Sequence, residues 1–559
     1  MKKNNIYIFF AVTGTVVVLW QLLASGYVLT LDMIFGPHVD LVHNAGDLWN
    51  TAPIWYMLAF VTSILGGWIT QKILLIVIFF LLFYLPLHFF KKIFSLENTH
   101  GAEYVASLVF AINPFVYERF LAGQWNVLCG YVLLVPLTAY LMGFCREWNY
   151  KNGLKLLGII ILTGAISTHV FIMSLIVIGV ALIVNLISHA VATKKLETGF
   201  LKSVLLLGLS VLVLSSYWLI PAIVSKATPI TNFGPENWGA FRTAGSDTVG
   251  TLSNVLSLHG FWGEHEVWVT RFLLPKDNGW LYGVAFVLFA AIILVGIYAG
   301  FTDKRFRNMT IFSIAIMCLA VVFSCGVGAG IFQNFNIWMF EHLSFWKGFR
   351  DTEKWSAIVA VSYALFAGLG SIKILSYFEN ANQSLWFTKY KRSIFYVLLA
   401  IPLLYTPMML FGFAGQLKTT QYPNSWAEVN NVLKQDKSCH ALFLPWHGYY
   451  NLKFNNDILT ANIARNYFDC DIIQGRNMEL GTISSQGGNG EEYSSVEKMV
   501  TDNNANPDAT IDLLKQKGIK FIIFTTDIQF EDPYKYPFLG SSLLQEVIHR
   551  GDVYLYRIF

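Results

Sequence analysis

About eleven apolar runs of membrane-spanning length dominate the chain, at residues 5–25, 73–90, 102–117, 126–144, 154–169, 171–190, 202–224, 280–300, 309–331, 355–376 and 393–413. In lipid a backbone must satisfy its own hydrogen bonds, and a helix of about 20 apolar residues does so across the hydrocarbon. Runs at this density dictate a polytopic α-helical membrane protein. Composition agrees, since 55% of residues are hydrophobic and 13% charged, against roughly 25% charged in soluble domains. The net charge of +4 is too small to suggest a nucleic-acid partner.

Charge placement sets the expected topology. Lys2 and Lys3, Lys91 and Lys92, Arg146, Lys151 and Lys155, Lys194, Lys195 and Lys202, Lys304, Arg305 and Arg307, and Lys389, Lys391 and Arg392 all fall on one side if Ile54 to Ile69 lies in the interface instead of spanning. Its aromatic residues Trp55, Tyr56 and Trp68 suit an interfacial helix. Counting it as a span breaks the agreement at every later loop. The first run, behind Lys2 and Lys3, reads as a retained anchor because no small-x-small cleavage pattern precedes Asp32. The expectation is a cytoplasmic N-terminus in the plasma membrane, with residues 26–72, the turn at Glu118-Arg119, loop 225–279, segment 332–354 and everything after about Gly415 outside.

Residues 1–414 then form a transmembrane domain whose first external loop, 26–72, carries the chemistry, and residues 415–559 a small extracytoplasmic α/β domain. In the latter, β-type runs at Ala441–Leu444, Phe521–Phe524 and Val553–Tyr556 alternate with helical patterns near Trp426–Leu433, Ala509–Gln516 and Ser541–Ile548. The loop Gly487-Gly488-Asn489-Gly490 interrupts them. Of six cysteines, Cys129, Cys145, Cys318 and Cys325 lie in or beside apolar runs and read as small hydrophobes. Cys439 and Cys470 can pair if their region is extracytoplasmic. One sequence gives no distance between them, and the reading leaves them unpaired.

The leading candidate for chemistry is Asp32, just beyond the first apolar run. A carboxylate there is costly unless solvated, paired or used, and His38, Asp40, His43 and Asp47 follow in the same loop. Asp32 is expected to serve as a general base toward an acceptor hydroxyl at headgroup level. Asp40 and Asp47 singly need no more than solvent, and the spacing of His38 and His43 is a weak metal signal.

Other candidates lie on the same side. Glu118 is expected to orient a cation or acceptor and Arg119 to face a phosphate, within the turn Asn113 to Trp125. His169, in Ser167-Thr168-His169, can line a pocket. Loop 225–279 carries Arg242, Asp247, His259, Glu264, His265, Glu266 and Arg271 among Trp238, Trp262 and Trp268. The tryptophans read as interface anchors, and Gly263-Glu264-His265-Glu266 resembles a metal cluster only superficially, since adjacent residues do not share a helix face. Lys347, Arg350 and Lys354 are cations against the positive-inside trend. Arg350 is expected to clamp a phosphate, Lys354 to assist it, and pairing with Asp351 and Glu353 is the alternative.

The layout resembles the GT-C class of membrane glycosyltransferases, with an acid after helix one, interfacial helices, many spans and a C-terminal outer domain. The stretches Asn113 to Trp125 and Phe349-Arg350-Asp351-Thr352-Glu353-Lys354 are similar to those of polytopic proteins near the arabinofuranosyltransferase and YfhO-type branches. The resemblance implies a sugar donor on polyprenyl phosphate, a glycan or lipid acceptor at the outer face, inversion at the anomeric carbon, and Asp32 as base. Thr30-Leu31 precede Asp32, so the Asp-x-Asp or Glu-x-Asp pair of some GT-C enzymes is absent. A divalent metal, Mg or Mn, is left open as a cofactor with its ligands unassigned. The rival expectations are a transporter or flippase of lipid-linked saccharides and a non-enzymatic envelope assembly factor. Few ionisable residues lie deep in the helices, Glu103 near a helix start being one, which favours outer-face chemistry over passage.

Overall fold

A computed structural model describes residues 3–41, 48–96, 98–194, 198–224, 234–264, 266, 272–273, 279–380, 385–476, 491–529, 532 and 534–559. Among these, seven helices are long and apolar enough to cross a membrane, and nine if two bent pairs, Thr198–Leu214 with Ser216–Val224 and Tyr390–Tyr405 with Pro407–Ala414, each count as one span. Two of the eleven apolar runs give shorter helices, Ala102–Ala111 and Tyr150–Ile166. The first is cut short because Asn113 caps a new helix, Pro114–Leu121, accepting from the Val116 amide at 3.0 Å, and proline at N1 cannot continue the old one. The protein is a multi-pass membrane protein.

Ala52–Leu65 is a separate apolar helix, ended by Gly66 at φ 82°, and Gly67–Phe94 begins at once. The spans Trp125–Arg146 and Thr352–Phe378 are mostly enclosed by other helices, whereas Lys3–Leu23 and Trp280–Thr302 turn most of their surface outward. Small residues allow the tightest crossing. A Cβ on Gly296 would lie 1.8 Å from the Phe366 carbonyl oxygen, and one on Gly370 2.1 Å from that of Ile292, so the backbones of Trp280–Thr302 and Ser356–Asn380 touch directly.

The C-terminal α/β region holds a five-stranded sheet in the order β4 (Asp471–Gln474), β1 (His440–Leu444), β5 (Phe521–Thr525), β7 (Val553–Ile558), β6 (Leu544–Arg550), with β4, β1 and β5 parallel and β7 and β6 antiparallel. Strands β2 (Tyr449–Asn451) and β3 (Leu459–Ala461) make a separate antiparallel pair. Helices Asn424–Leu433 and Pro507–Gln516 match the expected helical patterns.

Two expectations are corrected. The pattern at Ser541–Ile548 is largely strand β6, because Gly551 at φ 57° and Asp552 turn the chain directly back into β7. Cys439 and Cys470 form a disulfide, with Cα atoms 5.1 Å apart. The register explains it: β1 and β4 pair with His440 opposite Asp471, which sets the preceding residues side by side. Gly487–Gly490 lies outside the described residues.

Candidate active site

The segment around Asp32 is clamped on both edges. Tyr27 exchanges backbone hydrogen bonds with Thr420, both 2.8 Å, and Leu31 joins β3, donating to Leu459 at 2.8 Å and accepting from Ala461 at 2.7 Å. On the other edge the Asp32 amide donates to the Ala122 carbonyl at 3.2 Å and the Thr30 hydroxyl to that of Leu121 at 2.6 Å. The Gln71 side chain closes both backbone groups of Val28. This many fixed bonds can hold Leu31 at φ 33°, a costly conformation for a branched residue next to a candidate catalytic group. Gly123, at φ +72°, makes the approach possible: a Cβ there would lie 2.2 Å from the Met33 amide nitrogen and 2.8 Å from that of Asp32.

The Asp32 carboxylate is recessed, open to water yet closely surrounded by protein. It accepts from the Tyr449 hydroxyl at 3.1 Å and from the Gln124 amide at 3.4 Å. Loss of hydration raises its pKa above the ordinary carboxylate range, opposed by Tyr449, Lys354, Gln124 and Arg350 in that order. Arg350 is half-buried, its guanidinium 4.9 Å from the Phe241 ring centre. His169 Nε2 lies 3.0 Å from the Gly348 carbonyl, and its ring meets Phe349 edge-on. Arg350 and Lys354 lie within electrostatic reach of both Asp32 and His169.

Glu118 and Arg119 point into two different buried clusters. Arg119 is fully buried and its guanidinium binds Asp351, Glu353 and, at 2.7 Å, Gln124. Lys354 joins through Asp351 at 3.2 Å. Asp351 and Glu353 are therefore committed to Arg119 and Lys354. Arg119 also relays to the recess, because the Gln124 it holds is the one that reaches Asp32. Glu118 accepts from the Phe261 amide at 3.1 Å and lies 2.7 Å from His259 Nδ1.

Elsewhere in the first loop His38 sits 2.8 Å from Asp469 of the C-terminal region, and the Asp40 amide donates to Asn466. His43, Asp47, His265, Trp268 and Arg271 lie outside the described residues. Trp262 packs edge-on against Phe241 and Trp238 stacks on Phe340, so both are tied into the protein's own packing. Sequence reasoning missed Tyr449, which nothing local marks and which arrives through the pairing of β3 with Leu31. Gln124 stood in the highlighted turn but carries no charge to draw notice.

Ligand atoms of Glu118, His259 and Glu264 lie within 4.8 Å of one another. Two carboxylates and an imidazole suit a divalent ion such as Zn or Mn, and the set can hold one. Part of its capacity is already used, since the amides of Gly260 and Phe261 donate to Glu264 and Glu118. Glu264 thus enters a potential metal group with His259 of its own loop and with Glu118 from a distant helix.

No family model matches the chain, and no curated protein matches it. Solved structures do. The arabinofuranosyltransferase AftD from Mycobacteria aligns with TM-score 0.62 at 12% identity, covering 99% of this chain and 40% of that one. A mutant AftD structure aligns with TM-score 0.61, also at 12% identity, covering 99% and 41%. This chain therefore spans about two fifths of the length of AftD, and at this identity the likeness speaks for the fold. Nothing in it bears on the YfhO-type branch. The fold is that of the GT-C-type membrane glycosyltransferases.

Proposed function

We propose that the chain is a membrane glycosyltransferase that moves a sugar from a polyprenyl-phosphate donor to a cell-envelope acceptor at the outer face, with inversion. The observation that carries this reading is the recess itself, a carboxylate closely surrounded by protein on a rigid loop, with two cations in electrostatic reach. Asp32 takes the proton of the acceptor hydroxyl, whose oxygen attacks the anomeric carbon from the face opposite the donor phosphate. The carbon–oxygen bond to phosphate breaks, and its electron pair leaves with the polyprenyl phosphate. Arg350 and Lys354 oppose the charge that develops there, and His169 lines the same space. Glu118 and Arg119 act from behind, Arg119 as a positioning residue through Gln124. A divalent ion on Glu118, His259 and Glu264 would add a fixed positive charge behind this wall and brace loop 257–264 against helix Pro114–Leu121.

The fold likeness to an arabinofuranosyltransferase supports this reading. The disulfide supports the outer face, because such bonds persist in oxidising compartments. Asp32 shares that side, its loop being paired backbone to backbone with Thr420 and β3. In this reading residues 1–414 form the catalytic membrane domain and 415–559 an outer domain that guides the acceptor and contributes Tyr449.

The test supplies polyprenyl-phosphate pentoses and hexoses with short glycan acceptors to the full-length protein in nanodiscs, and reads the product anomer by NMR. Inverted product is expected. Failure to transfer from any donor, with lipid-linked saccharide crossing protein-containing vesicles, would replace this reading by the flippase.

Two variants probe the geometry. Gly123→Ala pushes the loop against a Cβ that has no room, and transfer is expected to fall on the order of a hundredfold, as for an ångström-scale displacement of a base. Wild-type rates would show that this contact does not set the position of Asp32. Tyr449→Phe removes a hydrogen bond that favours the charged carboxylate, so the pKa of Asp32 rises further. Activity needs the ionised form, so the acid limb of kcat/KM is expected to move to higher pH. An unmoved limb would rule out Tyr449 as a partner of the titrating group.

A further inference from the structure

A cavity of about 890 Å³ opens at the opposite end of the bundle, lined by Leu96, Ala299, Lys304, Arg305, Leu369 and Lys373, among others. Span Thr352–Phe378 starts beside Asp351, in the active-site cluster, and carries Lys373 to this cavity. At 1.5 Å per residue that is about 30 Å from Lys354. The cavity belongs to the end where the positive-inside reading puts the cytoplasm.

Its lining has two characters. Lys304, Arg305 and Lys373 supply positive charge, and Asp303, the acid among the described lining residues, is taken up by Arg305 at 2.6 Å. Leu96, Ala299, Leu369 and Ile372 supply an apolar wall, and below it Leu294 and Tyr298 face outward. Cations at helix C-termini also complement the helix dipole, but that requires no cavity. Two lining residues, Ser95 and His100, are at positive φ, a conformation that costs energy at non-glycine residues and clusters at ligand-holding sites.

We propose that this cavity binds the headgroup of an anionic phospholipid, its phosphate held by Lys304, Arg305 and Lys373 and its acyl chains lying along the outward face of Trp280–Thr302. Basic pockets between spans at the cytoplasmic surface recognise such lipids. The site is separate from Asp32, and its existence does not depend on the transferase reading.

The test titrates the full-length protein in neutral detergent with phosphatidylglycerol, with phosphatidylcholine of the same chains, and with soluble glycerol 3-phosphate. Binding is read by native mass spectrometry and by the thermal midpoint. Phosphatidylglycerol is expected to bind and raise the midpoint, phosphatidylcholine to bind at least about tenfold more weakly, and glycerol phosphate to have no effect. Each cation removed should cost about fivefold, so Lys304→Gln/Arg305→Gln/Lys373→Gln should weaken binding on the order of a hundredfold, while Lys304→Arg/Lys373→Arg retains it. If the triple variant does not fold, Lys373→Gln alone carries the test at about fivefold. Unchanged affinity in the glutamine variants, or equal affinity for the two lipids, would overturn the proposal. Glycerol phosphate binding as tightly as the lipid would assign the cavity to a soluble phosphate instead.

Discussion

Asp32→Asn is expected to reduce transfer by about three orders of magnitude while leaving the protein at least as stable as wild type. The loss follows from removing a general base, a contribution of about 10²–10⁴. It should appear equally in kcat and kcat/KM, because the proton moves only in the transition state. Stability follows from the sign of the pKa shift. The folded-state pKa of Asp32 lies above its ordinary value, with loss of hydration the leading cause. The stability associated with its protonation is therefore complete at low pH and lost as pH rises through the raised pKa. At neutral pH the ionised carboxylate is a burden on the fold, and asparagine removes the charge while still accepting from Tyr449. The check is a transfer assay beside thermal unfolding of the same preparation. Full activity in the asparagine variant would sink the assignment, and a large fall in unfolding temperature would make Asp32 structural.

Much of the architecture was legible because it rests on local chemistry. Apolar length marks the spans, and the apolar runs near Ala441, Phe521 and Val553 become central strands, whereas the run 102–117 carried across Asn113-Pro114, where the helix breaks. What was not legible depends on register between distant segments. The Cys439–Cys470 bond needs the pairing of β1 with β4, and Ser541–Ile548 reads as a helix until a two-residue turn delivers it to β7. The site divides in the same way. Asp32, Arg350 and Lys354 draw notice as charges at a membrane edge, whereas Tyr449 reaches Asp32 only because Leu31 is stitched to β3 across some 430 residues of sequence. The same holds for Glu118, whose neighbours His259 and Glu264 come from another loop.

Arg119→Leu is expected to destabilise the protein by about 3–5 kcal/mol, the cost of breaking a buried ion cluster by removing one sign of charge. Arg119 has no exposed surface and stands between Asp351 and Glu353, themselves buried. In its absence Lys354 remains for Asp351 at 3.2 Å, and Glu353 loses its cation. Burial pushes the Asp351 carboxyl up, but Arg119 and Lys354 outweigh it and hold the group well below the ordinary carboxylate range. That depression stabilises the fold above the unfolded-state pKa and is lost as pH falls through the folded one, so wild type and variant should differ most near neutrality and converge in acid. Transfer should fall as well, because Gln124 loses the bond that aims it at Asp32. Neutralising the stranded acid should recover part of the stability: Arg119→Leu/Glu353→Gln is expected to unfold at a higher temperature than Arg119→Leu, a coupling that a double-mutant cycle isolates. If the single variant unfolds at the wild-type temperature, the cluster is not what joins helix Pro114–Leu121 to the start of Thr352–Phe378. Additive single and double variants would show that Arg119 and Glu353 act independently.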